Sequence, residues 1–180
     1  LFGLRSRIAR ELPIKPHMRI LDVATGEGFF AIEVVRLHGD VKITGIDISQ
    51  SIVRDARRNI RKQNLQGLIE IVEMDAANMR FPKGEFDIAI DFTGLEDIRM
   101  TKAYSGVQRT FFEVNGVLKP NGYFCFAEML PDEMETEAQK IEVALFSYIC
   151  SATRLSSNEY KTLLEEAKFK LIRKRSYYTG

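Results

Sequence analysis

Residues 21–30, LDVATGEGFF, limit the possible folds more than any other stretch of the chain. An apolar run ends on Asp22, and Gly26, Gly28 and Ala31 then follow the spacing G-x-G-x-x-G/A. Glycines so placed let a strand turn straight into a helix while one backbone segment closely approaches another. The pattern therefore demands a strand before it and a helix after it. The rest of the chain repeats that alternation. Residues 19–24 (RILDVA), 41–46 (VKITGI), 68–74 (LIEIVEM), 86–92 (FDIAIDF) and 123–129 (YFCFAEM) read as strands, and residues 28–37, 51–64 and 103–118 read as helices. Such alternation predicts parallel strands joined by right-handed crossovers, hence an α/β fold with a doubly wound, mostly parallel sheet. Residues 75–83 leave too little room for a helix and read as a loop.

Composition limits the function classes. The 180 residues predict one domain over 1–180. Lys and Arg total 26 against 25 acids, so the net charge of +1 gives no global field toward nucleic acid or anionic lipid. Cys125 and Cys150 lie among apolar neighbours and read as buried free thiols of a reducing compartment. No apolar run approaches the roughly 18 residues of a membrane span, and no signal peptide is visible, so a cytoplasmic protein is expected. The chain opens on Leu1 and stops at Gly180 after a strand-like run, KLIRKRSYYT, so more chain is expected beyond its ends.

Ser49 or Ser51 can cap the second helix, whose Ile52, Val53, Ala56 and Ile60 share a stripe. Its other face carries Arg54, Arg57, Arg58, Arg61 and Lys62, which reads as a solvated face, with phosphate contact as the alternative. Residues 119–122, KPNG, read as a helix stop and turn. After the fifth strand, residues 133–151 form a helical pattern with an apolar stripe of Ile141, Ala144, Leu145 and Tyr148. A second helix over 158–167 follows a Ser-Ser cap, with Leu163 and Leu164 inward, and a last strand over 170–179 closes the pattern. Two helices where one crossover suffices suggest an insertion over 132–155. It either caps a site at the sheet's carboxyl edge or adds packing.

The glycine turn suits two classes of ligand. Asp47 ends the second strand about 20 residues on, where a carboxylate can accept from ribose hydroxyls. A nicotinamide dinucleotide and S-adenosylmethionine both carry such a ribose. Asp22 separates them. A carboxylate beside the turn repels a pyrophosphate but favours the ammonium and sulfonium of S-adenosylmethionine. Asp22 can instead simply order the turn. Asp75 follows the third strand, where it can accept from the adenine amine, with Ala76 leaving room for the ring; a helix cap is the alternative. Asp91 ends the fourth strand. Four acids on one rim, where open parallel sheets bind their ligands, suit a cationic, hydroxyl-rich molecule.

With these motifs together, the chain resembles the class I S-adenosylmethionine-dependent methyltransferases. Residues 22–28 (DVATGEG) resemble the family's first motif, with Ala24 in place of its usual first glycine, and LDVATGEG is especially similar to the quinone-biosynthesis branch. GIDIS resembles the second motif, DAANMRFPKGEFD the third, and VLKPNGYFCFAE the segment entering the fifth strand. The resemblance spans roughly residues 15–130. It implies that Asp22 and the backbone of Ala24, Thr25, Gly26 and Gly28 hold the methionine moiety. It places Asp47 on the ribose and Ile48 on adenine. Asp75 and Ala76 fall at the adenine edge, and Asp91 and Phe92 beside the sulfonium. It also implies a closing antiparallel hairpin, of which only residues 170–179 are present, so the final antiparallel strand can be missing.

Methyl transfer at a sulfonium carbon needs positioning more than acid–base chemistry. Neither His17 nor His38 falls at a strand's carboxyl end, and no metal is expected. The loop expected at DFTGLEDI, residues 91–98, is the best place for acceptor contacts, with Glu96 or Asp97 as candidate bases. The Asn/Asp-Pro-Pro-Tyr/Phe sequence of nucleobase-amine methyltransferases is absent there. A small-molecule acceptor is expected, with Phe111, Phe112, Phe146 and Tyr148 either lining its pocket or packing the core. An RNA or protein acceptor would need the second helix's arginines and Arg173, Lys174 and Arg175 to share a face. An NAD-dependent oxidoreductase and an inactive methyltransferase-like binding subunit are the remaining alternatives.

Overall fold

The computed structural model describes residues 2–149 and 154–177. Five strands form one all-parallel sheet: β1 (Arg19–Asp22), β2 (Lys42–Asp47), β3 (Ile69–Glu73), β4 (Phe86–Phe92) and β5 (Leu118–Ala127), in the order β3-β2-β1-β4-β5. The helices are α1 (Phe2–Glu11), α2 (Phe29–His38), α3 (Gln50–Lys62), α4 (Gly94–Val117), α5 (Glu137–Ile149) and α6 (Ser157–Glu166), with a single 3-10 turn at Pro131–Glu133. The strands read as near-continuous apolar runs because both faces of the sheet are covered. On one face Leu21, Val23, Phe86 and Ala89 pack against Leu95, Val107, Phe111 and Val114 of α4 and Leu163 and Leu164 of α6. On the other, Ile20, Ile43, Ile71, Ile88 and Ile90 pack against Phe30, Ala31, Val34 and Val35 of α2 and Val53, Ala56 and Ile60 of α3. Strand direction reverses its progress across the sheet between β1 and β4, which makes their carboxyl ends the switch point where such sheets hold ligands.

The capping signals hold. Ser49 caps α3 by accepting from the Ile52 amide, and Ser156 and Glu159 close a reciprocal capping box on α6. The fourth helix is a correction. It starts at Gly94, not at residue 103, so the expected loop over 91–98 is largely its first turn. The two halves join at Ala103, whose φ of 57° and ψ of −168° interrupt the helix. That single non-helical residue hides the first half from a periodicity argument. Helix α1 has no counterpart in the sequence reading; its average hydropathy is low and it packs mainly on α2 through buried Ala9.

Three further expectations change. Residues 119–122 belong to β5, as an irregularity in its pairing with β4 between Phe86 and Ile88, with Asn121 at φ 64°. The last strand over 170–179 does not form among the described residues. Residues 169–177 run without a strand partner, Leu171 and Ile172 stay exposed, and side chains rather than a ladder tether the segment. Lys174 pairs with Glu133, Arg175 with Glu11, and the Tyr177 hydroxyl donates to Glu11 over 2.7 Å. The stripe of α5 also faces outward: Ile141, Leu145 and Tyr148 are exposed, and among the side chains described in α5 Val143 alone is buried. Phe111 is core, in edge contact with Phe124 and Phe126, while Phe112 is half exposed. Phe146 and Cys150 lie outside the residues whose side chains are described, and Cys125 is a free thiol.

Candidate active site

The turn after β1 is held open by its backbone. The Val23 amide donates to Ile90 and the Thr25 amide to Ile46, so the chain stays pinned between β4 and β2 before it turns. Gly26 then takes φ 56°, and a side chain there would point into open space. The conformation, not crowding, calls for glycine, and the space leaves a cradle over the turn. Gly94 has the opposite reason. A Cβ there would lie 2.6 Å from Asp91 Oδ1 and 2.7 Å from the Ala24 Cβ. The glycine lets the start of α4 close directly on the turn.

Carboxylates converge on this crevice. Asp22 is 1% exposed and accepts from the Thr25 hydroxyl. Burial raises its pKa to about 7, and the Asp47 charge adds to the rise. Asp47 accepts from the Gly26 amide at 3.1 Å and the Ser49 amide at 2.9 Å, so it ties the glycine turn to the tip of β2. Asp91 is also 1% exposed; its Oδ1 accepts from the Gly94 amide at 3.1 Å, while Oδ2 is buried with no N–H or O–H donor. Glu128, just past β5, accepts from the Leu95 amide at 3.0 Å and lies in hydrogen-bond contact with Asp91. Burial first, and the other's charge second, hold the Asp91 carboxyl well above its ordinary range.

The adenine side expected beyond β3 is an open groove of about 200 Å³ that includes Ile48, Met74, Asp75 and Asn78. Ile48 stands 53% exposed above it. Asp75 accepts from the Ala77 amide at 2.9 Å and pairs with Lys102 at 2.7 Å. Burial opposes its ionisation, but the Lys102 and Ala77 contacts outweigh it and lower its pKa. Ala76 is buried beside it. The Phe92 ring turns away from the carboxylates, 5.1 Å from Phe30 and beneath Arg5.

The two candidate bases sit in different surroundings. Glu96 is buried and locked to Arg154, whose side chain is only 3% exposed, at 2.6 Å. Burial outweighs the Arg154 charge, with the Asp97 charge adding to it, so the Glu96 pKa is raised. Asp97 reaches solvent from the first turn of α4; partial burial and the Asp47 charge raise its pKa. The group missed from sequence is Glu128. Its signal was the alternation Phe124, Phe126, Glu128 at a strand's end, with Phe126 in register with Asp91. Glu128, Glu96, Arg154 and Tyr160 pack around a tight gap with no room for a water molecule. His17 is exposed and pairs with Asp40, and His38 contacts the Ala9 carbonyl, both away from the crevice.

Comparison with known proteins agrees with this geometry. Residues 14–168 match the family described as a methyltransferase domain. The chain is 29% identical over 144 residues to a sterol 24-C-methyltransferase of Gibberella zeae, covering 77% of this chain and 36% of that protein. It is 35% identical over 91 residues to a demethylmenaquinone methyltransferase of Porphyromonas gingivalis, covering 50% and 37%. The chain thus spans little more than a third of the length of these relatives. The fold matches that of a SAM-dependent methyltransferase from Aquifex aeolicus at TM-score 0.72 and 19% identity, over 94% of this chain and 81% of that one. The dinucleotide reading of the glycine turn gives way to these findings, and the chain belongs to the methyltransferase domain family.

Proposed function

We propose that this domain transfers a methyl group from S-adenosylmethionine to a small-molecule acceptor. The observation that carries the reading is the pair of 1%-exposed carboxyls, Asp22 and Asp91, at the carboxyl ends of the adjacent strands β1 and β4, where the sheet has its switch point. Buried carboxyls without a cation between them are costly, and a ligand carrying positive charge relieves that cost. The donor set fits such a ligand: Asp91 Oδ2 is an orphaned buried acceptor, and the cradle over Gly26 is vacant of side chains. When bound, S-adenosylmethionine supplies a methyl group on a positively charged, good leaving sulfur.

The chain's own residues do the rest. Asp22 and the turn of Ala24, Thr25, Gly26 and Gly28 hold the methionine end, with the Asp22 carboxylate taking its ammonium. Asp47 stands where it can accept from both ribose hydroxyls. Ile48 packs on adenine, with Asp75 and Ala76 at its edge, once Lys102 releases the Asp75 carboxylate. Asp91 closes the sulfonium end, while Phe92, expected beside it, packs against Phe30 on the other side of the sheet. Residues 132–155, with α5, act as an insertion beside the acceptor side. Relatives that act on demethylmenaquinone and sterols support an apolar acceptor. No helix among the described residues is long and apolar enough to cross a membrane. A large anionic acceptor finds little support, because Lys174 and Arg175 are each paired with an acid and Arg57 donates to the Ile71 carbonyl.

Calorimetry with S-adenosylhomocysteine and with NADH tests the proposal. Binding of the first and not the second supports it. Clear NADH binding with no response to millimolar S-adenosylhomocysteine overturns it.

A further inference from the structure

We propose that Asp91 and Glu128 form a proton-sharing carboxyl pair, in which Glu128 takes the proton that the methyl acceptor gives up. The inference rests on the donor and reaction proposed above. It starts from an atom. Among the described residues Asp91 Oδ2 is buried without an N–H or O–H donor, and the Asp91 and Glu128 carboxyls lie in hydrogen-bond contact. Two carboxylates in contact repel; a single proton between them turns the repulsion into a hydrogen bond. Geometry holds the pair in place from both sides. Asp91 Oδ1 is fixed by the Gly94 amide and Glu128 Oε1 by the Leu95 amide, successive N–H groups at the start of α4. Parallel register sets the strands so that Asp91 faces Phe126, and the alternation that turns Phe124 and Phe126 to the α4 face turns Glu128 there too.

The pair stands between the two parts of the site. Asp91 borders the crevice at β1, and Glu128 packs beside Arg154 and Tyr160 at a tight gap that must widen to admit an acceptor. Glu96 beside it is held in an ion pair with Arg154. The charged and titratable groups around the pair are Asp22 from β1, Glu96 and Arg99 from α4, Arg154 before α6, and Tyr160 of α6. Two are carboxyls and two are guanidiniums, so their charges largely offset, and burial with the pair's own repulsion holds the proton until a further cation arrives.

The charge balance then runs in one direction. A positive sulfur beside Asp91 lowers proton affinity and empties the pair. As the methyl leaves, the C–S electron pair stays on sulfur and the sulfur becomes neutral. The acceptor forms its new bond to the methyl carbon, and the electron pair of its X–H bond stays on the acceptor atom. The proton passes to a Glu128 carboxylate oxygen. The base therefore strengthens as the acceptor's proton is released.

Calorimetry of the full chain at pH 7.5 tests this without an acceptor, in two buffers of different ionisation enthalpy. S-Adenosylmethionine and S-adenosylhomocysteine share the ammonium, so any proton released from Asp22 is common to both. Only the first carries positive sulfur. The expected result is an extra proton release, approaching one, with S-adenosylmethionine. Its affinity relative to S-adenosylhomocysteine should rise several-fold from pH 6 to pH 8. Glu128→Gln should erase both differences while leaving S-adenosylhomocysteine affinity within about threefold. Asp91→Asn, whose amide can donate to Glu128, should erase them as well. Equal proton release for the two ligands, or a difference that persists in both variants, overturns the inference and leaves the donor assignment standing. If neither ligand binds, the proposed function falls and this inference with it.

Discussion

Asp22→Asn should reverse its effect on stability between acid and alkaline pH. In the folded protein the Asp22 carboxyl is 1% exposed and its pKa rises from 3.8 to about 7, chiefly through burial. Below about pH 4 both states hold the proton and the shift costs nothing. Between about 4 and 7 the unfolded chain releases the proton while the folded protein keeps it, so stability falls as pH rises. A rise of about 3 is worth about 4 kcal/mol when fully developed, at about 1.4 kcal/mol per pKa unit. Between pH 5 and pH 8 the change in the Asp22 contribution comes to about 2.5 kcal/mol by the same relation. Asparagine preserves an acceptor for the Thr25 hydroxyl. Its buried amide donors cost about 1–2 kcal/mol at every pH. The variant should therefore be near-neutral or destabilised at pH 5 and stabilised by about 2 kcal/mol at pH 8. Relief of the repulsion that Asp22 exerts on Asp91 acts in the same direction. Urea denaturation of both proteins at the two pH values gives the double difference. A double difference under about 0.5 kcal/mol would refute the reasoning, because Asp22 would then titrate as an ordinary surface acid. The same variant should bind S-adenosylhomocysteine poorly at either pH, which makes the carboxylate a group kept for its ligand at a cost in stability.

Asp47→Ala removes the acceptor of the Gly26 amide and of the proposed ribose hydroxyls; calorimetry should show S-adenosylhomocysteine binding weakened by about 1–3 kcal/mol. Arg154→Met strands the buried Glu96 carboxylate, so chemical denaturation at pH 8 should show a loss of about 3–5 kcal/mol, which adding Glu96→Gln should partly restore. Gly94→Ala forces a methyl group within 2.6 Å of Asp91 Oδ1; the midpoint of unfolding should fall by an amount worth about 1–3 kcal/mol, and donor affinity should fall with it.

Much of the fold was legible because burial on both faces wrote the strands as apolar runs. Phe86–Phe92 carries the same bounds in sequence and structure, since Ile88, Ile90 and Phe92 serve one core layer and Phe86 and Ala89 the other, without a turn residue among them. The order of acids after those runs placed Asp22, Asp47 and Asp91 on one edge. What stayed hidden has local causes. A single non-helical residue, Ala103, concealed the first turns of α4, and so Glu96 was taken for a loop acid rather than half of a buried ion pair. The partner, Arg154, comes from a segment with no periodicity, so only tertiary structure joins the two. The stripe of Ile141, Leu145 and Tyr148 met the helical pattern yet faces outward, because amphipathicity specifies a helix without specifying what covers it. The run KLIRKRSYYT has strand composition, but a strand also needs a backbone partner, and side-chain ties to Glu11 and Glu133 take its place.

A crystal structure with S-adenosylhomocysteine bound tests the central claim most directly. The account predicts ligand density along the carboxyl edge from β3 to β4. The amino group should meet Asp22, the ribose should lie on Asp47, and the sulfur should sit beside Asp91 with Glu128 behind it. Adenine should cover Ile48, with Lys102 moved off Asp75. Ligand seated elsewhere, or a crevice still closed around unliganded Asp22 and Asp91 at saturating ligand, would contradict it.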